Sequence, residues 1–231
     1  MNASIIRPSE LTGDRVDICI VVDVLRATTT AAVLCHRLGE LCVVRTPSDL
    51  GQLPDRPGGY ALFSELAKVE SDIARFDNSP IQARDVALDG RTPVLVTTNG
   101  TLAIGLAAQF ASEVLLAGFI NVSAVIDYVR SRGVATVAVM PAGNIHRGRR
   151  CIEDDGCADS IVGRLRADPV DVAAIIAACR VEPRIMERRA NEPNLAADIE
   201  LCFSIDAIAV VPRVVGTPNQ PWFQVVAADL G

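Results

Sequence analysis

The stretch that decides the fold is EVLLAGFINVSAVIDYVRSRGVATVAVM, which covers residues 113–140. Its first part, Glu113–Phe119, is mostly apolar and has the length of a strand. Asn121 is a typical N-cap residue, and four apolar residues then recur at helical spacing until Gly133 ends the segment. A second apolar strand, Val134–Met140, follows at once. Strand, helix and strand in this order predict a βαβ unit, which is typical of a largely parallel sheet covered by helices.

The same alternation of apolar runs and amphipathic segments continues along the rest of the chain. Further strands are predicted at Asp17–Asp23, Leu41–Arg45, Tyr60–Ser64 and Pro93–Thr97, and further helices at Thr28–Leu38, Thr101–Phe110, Ile152–Ala167 and Val170–Cys179. Residues 184–194 are polar and predict a helix or a loop, and the apolar run 202–211 is expected to end at Pro212. The predicted fold is therefore α/β, with a mainly parallel sheet flanked by helices. It forms one domain over residues 1–231, or two closely packed lobes.

Composition excludes several classes of protein. The chain has 231 residues, of which 50% are hydrophobic and 22% charged, so it can bury a large core. Its apolar runs are far shorter than the roughly 20 residues of a membrane span, and no secretory signal precedes them, which predicts a cytoplasmic protein without a membrane partner. A net charge of -6 argues against nucleic acid as a partner. The sequence does not decide between a monomer and a homo-oligomer.

Polar residues follow the first predicted strand, where Asp23, Arg26 and Thr28 to Thr30 lead into a helix. Ligands of open α/β sheets bind at the carboxyl ends of strands, and the free N–H groups of the next helix favour phosphate. Asp23 is therefore a candidate metal ligand, and Arg26 is a candidate partner for a substrate anion. The alternative is that the threonines only cap the helix and that Asp23 caps a turn.

A second junction of this kind follows the strand Pro93–Thr97. Residues 98–101 read Thr-Asn-Gly-Thr and lead into another helix. A hydroxyl-rich turn with a glycine can cradle an oxyanion with its backbone N–H groups. An Asn-Gly pair is also an ordinary turn, so this junction alone does not decide the function.

The densest cluster follows the strand Val134–Met140. Three arginines, Arg147, Arg149 and Arg150, precede three acids, residues 153–155. Arginines hold phosphate and carboxylates hold a hard cation, so this mixture is typical of a metal-assisted phosphate site. The alternative is a solvated loop whose ion pairs contribute little. Neither a Gly-x4-Gly-Lys-Ser/Thr loop nor a Gly-x-Gly-x-x-Gly motif is present, and the absence of these phosphate-handling motifs leaves few of the common phosphatase classes.

With these residues assembled, the chain resembles the 2-phosphosulfolactate phosphatase family over nearly its whole length. The resemblance rests on five blocks, which are residues 21–30, 77–80, 97–101, 153–154 with 157–158, and Asp198 with residues 211–212. It implies an α/β fold particular to the family, Mg²⁺ dependence, and hydrolysis of 2-phosphosulfolactate to sulfolactate on the route to coenzyme M. It also implies that the polar blocks converge on one cleft.

The residues and the resemblance together give one assignment of roles. Asp23, Arg26 and Glu153 are expected to be catalytic, and Asp23, Glu65, Glu153 and Asp154 are expected to supply Mg²⁺ ligands or a base. Direct attack by water and an aspartyl-phosphate intermediate through Asp23 both stay open. The residues expected to contact a small anionic phosphorylated substrate are Thr28, Thr29, Asn78, Ser79, Thr98, Asn99, Gly100, Thr101, Arg147 and Arg149.

Two departures from the family pattern bear on the choice of substrate. The family's usual Gly-Glu-Arg-Gly-Gly-like block reads Ser-Glu-Leu-Ala-Lys at residues 64–68, so Glu65 is kept but the arginine is replaced by Leu66. The arginine run at residues 147–150 is particular to this chain and is a candidate replacement for the lost charge. We expect a phosphatase of a small anionic hydroxy acid ester. The alternative is a non-catalytic protein that binds an anionic metabolite in the family cleft.

Overall fold

The computed structural model describes residues 1–11, 15–66 and 73–229. Within them the chain forms ten strands and eight α-helices. The strands are β1 (Asn2–Ile5), β2 (Val16–Val22), β3 (Glu40–Val44), β4 (Tyr60–Phe63), β5 (Ala74–Phe76), β6 (Thr92–Leu95), β7 (Ala111–Ala117), β8 (Thr136–Pro141), β9 (Pro212–Val215) and β10 (Trp222–Ala227). The helices are α1 (Ala27–Leu38), α2 (Pro80–Asp85), α3 (Gly100–Phe110), α4 (Val122–Arg132), α5 (Ile152–Leu165), α6 (Val172–Arg180), α7 (Pro183–Asn191) and α8 (Pro193–Cys202).

All ten strands belong to one sheet with the order β1-β8-β2-β7-β9-β10-β3-β6-β4-β5. Two blocks of four parallel strands, β1-β8-β2-β7 and β3-β6-β4-β5, stand on either side of the β9–β10 hairpin. The hairpin pairs antiparallel with β7 on one side and with β3 on the other. The predicted α/β fold with a mainly parallel sheet is therefore confirmed, and the predicted βαβ unit is β7, α4 and β8.

The hairpin reverses the direction of the second parallel block, which the sequence did not predict. The carboxyl ends of β2 and β6 therefore do not lie at equivalent ends of one parallel sheet. The segments that follow these two strands nevertheless meet, because Gly100 at the start of α3 lies against Asp23.

The buried strand β2 lies between two layers of helices. Its residues Cys19 and Val21 pack with α1 and α3 on one face, and Ile18, Ile20 and Val22 pack with α4 and α5 on the other. Because both faces are covered, the strand is a continuous apolar run, as expected for a parallel sheet. Nine consecutive residues of α1, from Ala27 to Cys35, are buried, so its first turn is fixed on all sides.

Two local expectations can be compared with the structure. Pro212 ends the apolar run 202–211, which contains no strand, and it also begins β9, since a proline at the first position of a strand removes no ladder hydrogen bond that the sheet needs. Asn121 stands at the N-cap of α4, but its side chain does not cap the helix. Its Oδ1 accepts from Gly118 N at 2.9 Å, and its Nδ2 donates to Leu116 O and Val210 O.

The polar segment that was expected to be a helix or a loop forms α7, and α8 follows it directly. Of the helices in residues 1–11, 15–66 and 73–229, none combines the length and the apolar character that crossing a membrane requires.

Candidate active site

A cleft of about 270 Å³ opens where the chain leaves β2, β4, β6 and β8. The first turn of α5 and one face of α7 complete its wall. The lining residues are Asp23, Leu25, Arg26, Glu65, Asn78, Thr97, Thr98, Asn99, Gly143, Asn144, Cys151, Glu153, Asp154, Arg184 and Arg188. We call this space the carboxylate cleft, because four acidic side chains face it.

Asp23 follows β2 and is almost fully buried, with 8% of its surface exposed. Its Oδ1 accepts from the amide N–H of Ala27 at 3.3 Å. Burial first, and then the neighbouring charges of Glu65 and Glu153, raise the pKa of Asp23 to about 7 against the opposing effects of the Ala27 amide and Arg26. A carboxyl group with a pKa near neutrality can hold or release a proton under ordinary conditions.

Two further acids enter the cleft from the first turn of α5. Asp154 accepts from the amide N–H groups of Val24 at 2.8 Å and Gly143 at 3.0 Å, which tie it to the chain beyond β2 and β8. Burial and the neighbouring charges of Asp23 and Glu153 nevertheless hold its pKa well above the ordinary value. Glu153 is buried, and both of its carboxylate oxygens accept from Arg184 Nη2 at 2.6 Å. Arg184 is therefore the direct counter-charge of Glu153.

Glu65 closes the opposite side of the cleft after β4. Its Oε1 accepts from Thr98 N at 2.7 Å and from Thr98 Oγ1 at 3.0 Å, and its Oε2 accepts from Asn78 Nδ2 at 3.1 Å. Asn78 Oδ1 is buried and has no hydrogen-bond partner among the residues that the structure describes. A buried oxygen without a donor is costly, so this atom is suited to a bound cation or a ligand donor.

Arg26 lines the cleft, but its guanidinium already contacts two carboxylates. Nη1 donates to Asp198 Oδ2 at 2.6 Å and to Asp77 Oδ2 at 3.0 Å, and Nη2 donates to Asp77 Oδ1 at 3.2 Å. Asp198 is 1% exposed and also accepts from Ser79 Oγ at 2.6 Å. The Leu25–Arg26 peptide bond is cis. Arg26 therefore connects the start of α1 with α2 and α8, in addition to presenting positive charge to the cleft.

The structure brings most of the predicted polar residues together. Every predicted metal ligand lines the carboxylate cleft, as do Arg26 and three of the predicted substrate contacts, Asn78, Thr98 and Asn99. Gly100 begins α3 beside them, and a Cβ at this position would lie 2.7 Å from Asp23 Oδ2. The sequence predicted three separate polar junctions. In the structure their residues line one cleft, which therefore contains both acids and arginines.

Four predicted contacts are engaged within the fold. The hydroxyl groups of Thr28, Thr29 and Thr101 are buried and donate to backbone carbonyls, at 2.7 Å to Ala117 O for Thr28 and at 2.9 Å for the other two. The amide of Thr28 donates to Asp23 O, and that of Thr101 donates to Thr97 Oγ1. Ser79 caps α2 by accepting from Gln82 N. The structure places these groups behind the cleft rather than in its lining.

Arg147 and Arg149 lie in the exposed loop after β8 and do not line the carboxylate cleft. Arg149 lines a separate cavity on the other side of residues 143–145. Arg184 and Arg188 of α7 line the cleft and supply the positive charge that was predicted from Arg147 and Arg149. The two arginines of α7 were missed, although a spacing of four residues places two arginines on one face of a helix. Leu66 packs against an apolar cluster under β4 and β6, and Ala67 and Lys68 lie outside the described residues.

The charges of the cleft are suited to a cation and an anion bound together. Four carboxylates face three arginines, and two of these carboxylates, Asp23 and Asp154, have raised pKa values because they are buried and lie beside other carboxylates. Among the residues that the structure describes, no three His, Cys, Asp or Glu side chains form a preformed metal site. Mg²⁺ is commonly bound through one or two carboxylates with water and substrate oxygens, so the donors here fit it, with Asn78 Oδ1 as a further oxygen.

Comparison with known proteins gives one consistent result. A model of the family described as 2-phosphosulpholactate phosphatase matches residues 5–217. A protein of Thermus thermophilus named probable 2-phosphosulfolactate phosphatase is 32% identical over 213 residues, which cover 87% of this chain and 89% of the relative. A protein of Gloeobacter violaceus with the same name is 30% identical, with 92% and 95% covered. The chain therefore belongs to the 2-phosphosulpholactate phosphatase family.

Proposed function

We propose that the chain is a Mg²⁺-dependent phosphatase that releases phosphate from the monoester of a small anionic hydroxy acid, with 2-phosphosulfolactate as the first candidate substrate. The observation that carries the proposal is the carboxylate cleft, in which buried acids at Asp23, Glu153 and Asp154 face Arg26, Arg184 and Arg188. Family membership and the names of the relatives support the same activity.

The size and charge of the cleft favour a compact substrate with more than one anionic group. Its volume of about 270 Å³ is near the lower end of small-molecule pockets. Arg184 and Arg188 lie on one wall, so they are placed to bind anionic groups of a substrate through charge-assisted hydrogen bonds. Arg184 already pairs with Glu153, and Arg188 Nε lies 3.4 Å from Glu192 Oε1, so a carboxylate or sulfonate beside the phosphate would be a further partner for these two arginines.

The acids would repel such a substrate unless a cation lay between them. Asp23, Glu153 and Asp154 are the candidate Mg²⁺ ligands, with Glu65 and Asn78 on the facing wall. When bound, Mg²⁺ supplies charge compensation at the phosphoryl oxygens and makes a water molecule more acidic. Asp23 is also a candidate nucleophile, and its raised pKa belongs to the metal-free protein, because bound Mg²⁺ would favour the ionised carboxylate. Arg184 keeps the Glu153 carboxylate oriented through contacts of 2.6 Å to both of its oxygens.

The proposal is tested by phosphate release from a set of phosphorylated hydroxy acids and from an aryl phosphate, with Mg²⁺ and with a chelator. We expect turnover that needs Mg²⁺ and that favours esters carrying a second anionic group. Arg188→Ala should raise the KM for those esters much more than the KM for the aryl phosphate, because a lost charge-assisted hydrogen bond lowers affinity by roughly tenfold or more. Arg132→Ala on the exposed side of α4 is the matched control.

The same experiment separates the enzyme from a non-catalytic binder. Thermal stabilisation by the phosphoester without any phosphate release would favour the binder. The loss of the family arginine at Leu66 does not itself favour it, since Arg184 and Arg188 bring positive charge to the cleft from α7.

A further inference from the structure

A second cavity of about 300 Å³ lies beside the carboxylate cleft, between residues 7–9, α3 and the loop after β8. Much of its wall is apolar and is formed by Pro8, Leu106, Pro141, Ala142 and Ile145. Arginine side chains complete the lining, so the space combines an apolar wall with cationic groups. We call it the Arg149 cavity.

The charges around the Arg149 cavity are unequal. Among the lining residues, Asp155 is the one carboxylate, and it is shared by two arginines. Arg7 Nη2 lies 3.2 Å from its Oδ1, and Arg150 Nε lies 2.6 Å from its Oδ2. Within residues 1–11, 15–66 and 73–229, Arg149 forms no ion pair with a carboxylate. Glu10 Oε2 also lies 3.9 Å from Arg7 Nη1, so three arginines face two carboxylates in and around the cavity. The balance is still positive, with Arg149 as the cation that an incoming anion can pair with.

We propose that the Arg149 cavity is a second ligand site, which binds a small organic carboxylate with an apolar body. The guanidinium of Arg149 supplies a planar pair of donors that matches a carboxylate, and the apolar wall favours a hydrocarbon body over a hydrated inorganic anion. The arginine run after β8 thus has a role separate from binding the phosphoester.

The wall between the two cavities connects this site with the carboxylate cleft. Gly143 and Asn144 line both spaces. On the cleft side, Gly143 N donates to Asp154 Oδ2 at 3.0 Å, and Ile145 N donates to Asn99 Oδ1 at 3.0 Å. A ligand that packs against residues 143–145 therefore acts on the segment that holds Asp154 and Asn99, so binding in the two spaces is coupled.

Benzoate is a suitable probe, and its binding is measured by ligand-observed NMR on the full chain without Mg²⁺ or phosphoester, so the result does not depend on turnover. Arg149→Ala should weaken benzoate binding by roughly tenfold or more. Leu106→Trp, which fills the cavity, should abolish it. Arg147→Ala is the neighbouring control, because Arg147 lies in the same loop but does not line the cavity, and benzoate binding should be unchanged. Circular dichroism checks that each variant is folded.

The coupling is tested by repeating the titration with saturating inorganic phosphate and Mg²⁺. The benzoate affinity should change, and benzoate should change the phosphate affinity by the same factor. The ligand site is refuted if wild-type protein does not bind benzoate, if Arg149→Ala binds it as well as wild type, or if neutral benzyl alcohol binds equally well. Full competition between benzoate and phosphate would place benzoate in the carboxylate cleft and would also refute the proposal.

Discussion

Replacing Asp23 with asparagine should increase the stability of the metal-free protein while removing its phosphatase activity. The Asp23 carboxylate is buried beside Glu65 and Glu153, so its ionised form is unfavourable in the folded state without a cation. Asparagine has nearly the same shape and keeps an oxygen that can accept from Ala27 N. The substitution therefore removes the charge with little change in packing.

The pKa of Asp23 gives the expected magnitude and its dependence on pH. It rises from 3.8 to about 7 on folding, and one pKa unit corresponds to about 1.4 kcal/mol. Because the folded-state pKa is raised, the destabilisation is absent at low pH, grows from about pH 4 upwards, and is complete above about pH 7. Above that pH the ionised Asp23 carboxylate destabilises the folded state by at most about 4 kcal/mol. We expect Asp23→Asn to be more stable by roughly 2 to 4 kcal/mol at about pH 8, and by less than about 2 kcal/mol at about pH 5.

Urea unfolding with a chelator at the two pH values measures this difference, and phosphate release with Mg²⁺ measures activity. Asp17→Asn at the other end of β2 is the matched control with the opposite sign. Hydrogen bonds from Thr136 lower the pKa of Asp17, so its charge stabilises the fold at neutral pH, and asparagine should destabilise. An Asp23→Asn protein that is less stable than wild type at about pH 8 would show that the Asp23 charge is not unfavourable in the folded state. Normal turnover of this variant would show that the Asp23 carboxylate is not needed for phosphate release.

Two further substitutions test the surroundings of the cleft. Arg26→Lys should lower the free energy of unfolding in urea by roughly 2 to 4 kcal/mol, because one ammonium group cannot keep the paired contacts to Asp77 together with the buried Asp198 contact; unchanged stability would contradict this role. Gly100→Ala should reduce phosphate release at least tenfold, since the new Cβ would lie 2.4 Å from Ala27 Cβ and 2.7 Å from Asp23 Oδ2 and would displace the start of α1 and the Asp23 carboxylate. Gly51→Ala, whose Cβ meets nothing within 4 Å, is its control, and equal activity of the two variants would refute the prediction.

The parts of the fold that the sequence predicted are those encoded by local patterns. The apolar run before Asp23 forms the buried strand β2, and the strand-helix-strand stretch of residues 113–140 forms β7, α4 and β8. Polar residues that follow a buried strand must lie at its end, so Asp23 and Thr98 were placed correctly before their partners were known.

The parts that the sequence did not predict depend on contacts between distant segments. Asp198 meets Arg26 across 172 residues, and Arg184 meets Glu153 from a helix that looked like an exposed polar segment. Neither contact has a local signature, because periodicity reports which face of an element is buried and not which residue it meets. The reversal of the second parallel block depends on β9 and β10, which are late in the chain and were not predicted.

The measurement that tests the central claim most directly is a ³¹P NMR time course of 2-phosphosulfolactate with the wild-type protein, first with Mg²⁺ and then after addition of a chelator. We predict that the monoester signal is replaced by inorganic phosphate with Mg²⁺, that the conversion stops when the chelator is added, and that Glu153→Gln shows no conversion under either condition. Conversion that continues at the same rate with the chelator, or that is unchanged in Glu153→Gln, would contradict a cation-dependent site built on the buried carboxylates of this cleft.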